Sequence, residues 1–277
     1  MSGTTMPKMI ESPFAPKSLR PLSAQEAVAW NAKIASSKFA IQVASPLSIA
    51  GGAGTSFSRS LQCMTAAVYY EASSEPTDGQ RAVAQVVLNR LRHPQFPHTV
   101  CGVVYQGSER PTGCQFSFTC DGSLQRMPSP EGWRRAEGVA AAALAGSVYA
   151  PVGWATHYHA DYVVPYWAPS LQKLATVGHH IFYRWSGAAG EGGSFTSRYL
   201  GSEPTVAGMP QTDAQLIQGE ALLLDAGAAK RVSAAERPLI EAAPTPAPTA
   251  SRSTPAQAAE NPTASDDRWI IGTPPTH

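Results

Sequence analysis

In Ser60-Leu61-Gln62-Cys63-Met64-Thr65-Ala66-Ala67-Val68-Tyr69-Tyr70-Glu71-Ala72, the residues Leu61, Met64, Val68 and Glu71 recur at the i, i+3, i+7, i+10 positions of one helix face. Three hydrophobes followed by a carboxylate at the next inward position are an anomaly. Burying a charged Glu without a partner is costly, so the group pairs or holds its proton. A protonated Glu at the mouth of an apolar cleft suits general acid work. The bland alternative is a helix-end Glu that reaches solvent where the helix stops before Pro76.

Downstream, Thr77-Asp78-Gly79-Gln80 fits a capping box that opens a second helix through Leu91. Val83, Val86, Val87, Arg90 and Leu91 lie near one of its faces, and Asn89 and Arg90 read equally as core struts or as surface. Ser129 as N-cap and Pro130 at the first helical position start a third helix, reaching about residue 148. Between them, 113–122 alternates polar and aromatic residues and is expected as a short strand or hairpin. A second such region covers 156–161 and 163–167. The class expected is α+β and mainly helical, with short β-hairpin regions and disordered flanks.

All four cysteines, six of seven histidines and 16 of 23 aromatic residues fall between Leu61 and Ser186. Three parts follow: an N-terminal extension over 1–60, mostly linker with one possible helix near 23–36; a globular domain over 61–186; and a C-terminal extension over 187–277. Within the last, 212–231 offers a helix, and 242–265 is too rich in Ala, Pro, Ser and Thr to build a core. The tail ends with a short apolar knot, Asp266-Asp267-Arg268-Trp269-Ile270-Ile271. A chain trimmed to about 55–190 is expected to fold and act by itself, with 202–277 dispensable.

The net charge of +1 supplies no global field for nucleic acid. No run of about 20 strongly apolar residues suggests a membrane span. Cys63, Cys101, Cys114 and Cys120 include no C-x-x-C, which weakens zinc-ribbon and thioredoxin-type readings. Of three possible connectivities, 63–101 with 114–120 is preferred, and two disulfides imply a periplasmic or cell-wall location. The N-terminus shows no signal peptide. Aromatic faces beside hydroxyl, amide and imidazole groups suit a sugar, so Gln115, Ser117, His157, Tyr158, His159 and Tyr166 are candidate substrate contacts. The alternative is an ordinary aromatic core with polar edges. His157 and His159 could also hold zinc, but no H-E-x-x-H-type signature supports it. No metal or cofactor is expected.

Ala67-Val68-Tyr69-Tyr70-Glu71-Ala72, Glu75-Pro76 and the run from Gly79 to Arg90 resemble the SleB/CwlJ-type cell wall hydrolases, the germination-type, spore-cortex-lytic enzymes and their relatives. Cys114-Gln115-Phe116-Ser117, Thr156-His157-Tyr158-His159 and His180-Ile181-Phe182-Tyr183-Arg184 follow in that family's order, so the likeness covers about 61–185. Ser73-Ser74 stands where the family often has Arg-Gly. The resemblance implies a small lysozyme-like domain cleaving peptidoglycan glycan strands, with Glu71 as the catalytic Glu. The expected reaction is lytic transglycosylation or hydrolysis between N-acetylmuramic acid and N-acetylglucosamine. Ordinary glycosidases need a second carboxylate. Glu75 and Asp161 are the candidates, Glu75 being expected to face solvent or cap the next helix, so a single-Glu mechanism fits better. The rivals are a hydrolytic muramidase or glucosaminidase, a non-catalytic peptidoglycan-binding module, and a zinc amidase on His157 and His159.

Overall fold

The computed structural model of the chain describes residues 19–49, 55–110 and 113–206; the expectations for 212–231, 242–265 and 266–271 lie outside them. Its helices are α1 (Ala24–Lys33), α2 (Thr55–Ala72), α3 (Thr77–Arg92), α4 (Val100–Val104) and α5 (Pro130–Leu144). Three strands, β1 (His157–Ala160), β2 (Gln172–Val177) and β3 (His180–Arg184), form an antiparallel sheet in the order β1-β3-β2. This is the expected class, mainly helical α+β with short hairpin regions.

The helices sit where their patterns place them. Met64 and Val68 of α2 are fully buried, as are Val83, Val86, Val87 and Leu91 of α3. At α5 the Ser129 side chain accepts from the Gly132 amide, with Pro130 in the first turn. The anticipated capping box at α3 does not form. Pro76 is the N-cap residue and makes no side-chain cap bond. Gln80 Nε2 instead donates to the Ala72 carbonyl at 3.2 Å, satisfying a terminal acceptor of α2. The α2–α3 corner is therefore tied from the inside.

Both preferred disulfides are present: Cys63–Cys101 joins α2 to α4, and Cys114–Cys120 closes a short loop. That loop is not the strand its alternation suggested. Six residues of extended chain would span about 20 Å, whereas the Cα atoms of Cys114 and Cys120 are 6.4 Å apart. The chain must turn, and Ser117–Thr119 forms a 3-10 turn. Residues 163–167 likewise form no named strand, contributing one bridge between Pro165 and Leu19.

Alternation along the sheet separates two layers. Tyr158 of β1 and Phe182 of β3 join the main core with the helices. Ile181 and Tyr183 point the other way, into a small cluster with Trp167 and Ala168. The segment before α2 packs more closely than a linker would: Asn31 Nδ2 donates to the Asp161 and Val163 carbonyls, both at 2.7 Å. The buried Lys173 Nζ returns two bonds to the carbonyls of Asn31 and Ile34. Beyond 186, Phe195 stacks on Trp154 with ring centroids 4.3 Å apart. The buried Glu203 accepts from Ser60 Oγ, Val100 N and Cys101 N at 2.7, 2.9 and 2.8 Å. Packing thus continues past both expected edges of the 61–186 domain.

Candidate active site

Glu71 is the penultimate residue of α2, half-buried, with Oε1 shielded from solvent. Two features disfavour its charged form: partial burial, and the negative end of the α2 dipole. One feature opposes them. Arg90, fully buried on α3, is close enough for its guanidinium and the Glu71 carboxylate to interact electrostatically. Burial pulls the Arg90 pKa down to about 10, against the favourable fields of Tyr158 and Glu71, so it remains a cation at neutral pH. Its Nε donates to the Thr156 carbonyl at 2.7 Å, and its guanidinium lies 5.6 and 5.2 Å from the ring centres of Phe96 and Phe116.

Tyr158 completes this group from the sheet. Its pKa is held well above the ordinary tyrosine value by burial and then by the Glu71 carboxylate, with Arg90 pulling the other way. The phenol is therefore a donor at any working pH. Its hydroxyl and both terminal nitrogens of Arg90 are buried and make no hydrogen bond to the described residues. Leftover donors of this kind are rare in folded proteins and ask for an explanation.

Of the sequence candidates, Tyr158 shares this neighbourhood with Glu71. Gln115 and Ser117 lie in the adjoining loop, where Phe116 covers Arg90 and Phe118 stacks on Tyr70 at 5.0 Å. His157 and His159 are on the opposite sheet face. Both are buried against Trp167, at 5.7 and 5.6 Å between ring centroids. His159 uses Nδ1 on the Ala160 carbonyl and Nε2 on the Tyr183 hydroxyl, and His157 Nδ1 lies 2.9 Å from Thr156 Oγ1. Strand alternation, invisible in a list of sugar-compatible residues, divides the motif Thr156-His157-Tyr158-His159 between two layers. Tyr166 is half exposed beneath the Arg20 guanidinium, 5.1 Å from its ring centre.

The two other carboxylates considered are engaged at the β2–β3 turn. Asp161 Oδ2 lies 3.3 Å from His179 Nδ1. The Glu75 side chain is only 5% exposed and does not face solvent as anticipated. Its Oε1 accepts from His179 N at 2.9 Å and lies 3.4 Å from His180 Nδ1. Arg90 is the residue that sequence reasoning undervalued. Its place on the apolar side of α3, in register with Val83, Val86 and Val87, was the available signal. Clefts of about 500, 510 and 590 Å³ open elsewhere, and none of these three is lined by Glu71, so chemistry rather than volume locates the site.

The family model described as Cell Wall Hydrolase matches residues 74–183, a range that begins just after Glu71. Among curated proteins, the chain is 39% identical over 123 residues to a spore cortex-lytic enzyme of Halalkalibacterium halodurans, covering 44% of this chain and 34% of that protein. A spore cortex-lytic enzyme of Bacillus subtilis is 31% identical over 123 residues, covering 44% and 36%. The chain thus spans only about a third of these relatives' length. Two solved structures are each 31% identical. The catalytic domain of the Bacillus cereus SleB protein is covered to 94% by 48% of this chain, with a TM-score of 0.38. The catalytic domain of the germination-specific lytic transglycosylase SleB from Bacillus anthracis is covered to 100% by 49% of this chain, with a TM-score of 0.39.

Proposed function

This chain belongs to the SleB/CwlJ-type cell wall hydrolase family, and on that premise we propose that it cleaves peptidoglycan glycan strands between N-acetylmuramic acid and N-acetylglucosamine, as a lytic transglycosylase with Glu71 as its acid and base. The observation that carries the reading is the grouping of half-buried Glu71 with the buried Arg90 cation and the Tyr158 phenol, which act electrostatically on its carboxylate. A second observation supports the choice of reaction. Retaining or inverting hydrolysis needs a second carboxylate poised across the bond. Glu75 and Asp161, the two residues considered for that part, are committed to the β2–β3 turn.

In this reading Glu71 protonates the glycosidic oxygen, and the bond to C1 breaks with oxocarbenium character. The carboxylate so formed takes the proton of the muramic 6-hydroxyl as that oxygen closes on C1. Glu71 ends reprotonated, and the product carries a 1,6-anhydro-muramic end. Arg90 stabilises the carboxylate between the two transfers, and its electrostatic link to Glu71 persists because the cation is buried in place. Digestion of purified sacculi followed by mass spectrometry tests the proposal. Anhydro ends, one water lighter than hydrolytic ends, are expected; reducing ends alone would make the enzyme a hydrolase, and no release at all would leave a binding module.

A further inference from the structure

Glu75 follows Glu71 by one helical turn and is not used by the reaction just described. The fold nevertheless makes room for its side chain. A Cβ at Gly79 would come within 2.7 Å of Glu75 Cβ. Gly178, at φ +56°, turns the β2–β3 connection in the left-handed region, and a Cβ there would collide with the Glu75 carboxylate. Two glycines, one on each side, thus leave a slot that the carboxylate fills. Inside it, Oε1 accepts from the His179 amide at 2.9 Å and faces His180 Nδ1 at 3.4 Å.

The contact continues toward the site. Burial, then the fields of His159 and His179, lower the His180 pKa to about 4, so the ring is neutral at working pH. The neutral ring therefore packs against the Glu75 carboxylate as a close contact, Nδ1 lying 3.4 Å from Oε1. The same ring meets Tyr158 edge to face, with centroids 5.2 Å apart at 85°. Tyr158 in turn packs on Phe182 at 5.4 Å and shares its surroundings with Glu71 and Arg90. On the helical side, Glu75 N donates to the Ala72 carbonyl at 3.1 Å, so the backbone of Glu75 is fixed to the helix end that carries Glu71.

We propose that Glu75 is a positioning residue: it clamps the α2–α3 corner to the β2–β3 turn and, through His180, sets the separation of Tyr158 from Glu71. The inference rests on the reading of Glu71 as the acid. It assigns Glu75 no contact with substrate and no proton transfer. Loosening the clamp leaves every reacting group present but lets the sheet drift from the helix end.

The test is steady-state kinetics on soluble glycan strands with Glu75→Ala, Glu75→Gln and Gly178→Ala, each checked for folding by circular dichroism. Displacement of about 1 Å at a reacting group costs on the order of 100-fold. Glu75→Ala is therefore expected to lower kcat by about 10- to 100-fold, with KM little changed. Glu75→Gln keeps an acceptor oxygen for His179 N and nearly the same side-chain shape against His180, and should recover most of that loss. Gly178→Ala leaves Glu75 intact but fills its slot, and it should reproduce the Ala phenotype even if Glu75→Ala fails to fold. Parent kcat in folded Glu75→Ala or Gly178→Ala, equal losses in the Ala and Gln variants, or a change confined to KM would each overturn the role. Glu71→Gln assayed alongside separates the two ideas. If it is inactive while Glu75→Ala is fully active, only the clamp fails; if it is active, the site itself fails.

Discussion

Glu203 lies beyond the expected end of the catalytic domain, yet its removal should destabilise the whole fold. Its carboxylate accepts three bonds: from Ser60 Oγ on α2 and from the Val100 and Cys101 amides that open α4. First-turn amides have no partner inside their own helix. The Thr99 side chain serves Gly102, leaving the other two to Glu203. Truncation to Ala orphans the two buried amides, each costing about 1–3 kcal/mol when unsatisfied, while Ser60 Oγ keeps the Tyr199 hydroxyl at 3.1 Å. Water entering the vacated space offsets part of this, so a net loss of about 3–5 kcal/mol is expected, the range for breaking a buried charged network. For a folded body of this size that corresponds to a fall in Tm of about 10 °C. Thermal unfolding under non-reducing conditions, comparing the parent with Glu203→Ala and with chains trimmed to 55–190 and 19–206, measures it. The 19–206 chain should match the parent, and the 55–190 chain should fall at least as far as Glu203→Ala. A Tm for Glu203→Ala within about 2 °C of the parent would refute the reasoning, because under 1 kcal/mol would then separate a bonded carboxylate from two orphaned amides.

Asn89→Asp should be severe despite its near-identical shape. Asn89 Nδ2 donates to the Gly153 and Ala155 carbonyls, both at 2.8 Å. A carboxylate there faces two acceptors, and a loss of about 3–5 kcal/mol is expected in urea unfolding. Acid should also weaken the fold. His159 and His180 each have a pKa lowered to about 4, by burial first and then by Lys173 for His159 and by the neighbouring His159 and His179 for His180. The unfolded chain takes up these protons near pH 6.5 and the folded chain does not, so their contribution is complete above pH 6.5 and lost as pH falls toward 4. Between pH 7 and pH 5 each histidine should subtract about 2 kcal/mol, read as a lower urea midpoint. An unchanged or higher midpoint at pH 5 would contradict their neutral burial.

Much of the helical half was legible because its signals are local. The stripe ending at Glu71 and the Ser129-Pro130 start each predict their helix from adjacent residues, and α1 lies within the expected 23–36. What was not legible depends on partners distant in the chain. Gln80 looked like half of a capping box until the Ala72 carbonyl took its amide. Alternation in 113–122 resembled a strand, but a six-residue disulfide loop closes only on a turn. Glu75 read as facing solvent or capping the next helix because the β2–β3 turn that covers it lies about a hundred residues on. The packing of the segments outside 61–186 was hidden for the same reason: Asn31 and Glu203 are polar residues whose burial becomes sensible only against the carbonyls and amides they meet. His157 and His159 were grouped with Tyr158 by composition, while the pleat sends them to opposite layers.

The central claim is that Glu71 alone supplies and recovers the proton. Its most direct test is Glu71→Gln on purified sacculi, with released muropeptides quantified by mass spectrometry and folding verified by circular dichroism. Gln preserves size and hydrogen bonding but transfers no proton. General acid–base catalysis contributes about 10²–10⁴-fold, and a group acting in both steps should lie toward the upper end. The account expects a folded variant whose release of 1,6-anhydro products falls by roughly 10³-fold or more. A folded Glu71→Gln enzyme that still releases them at the parent rate would contradict it.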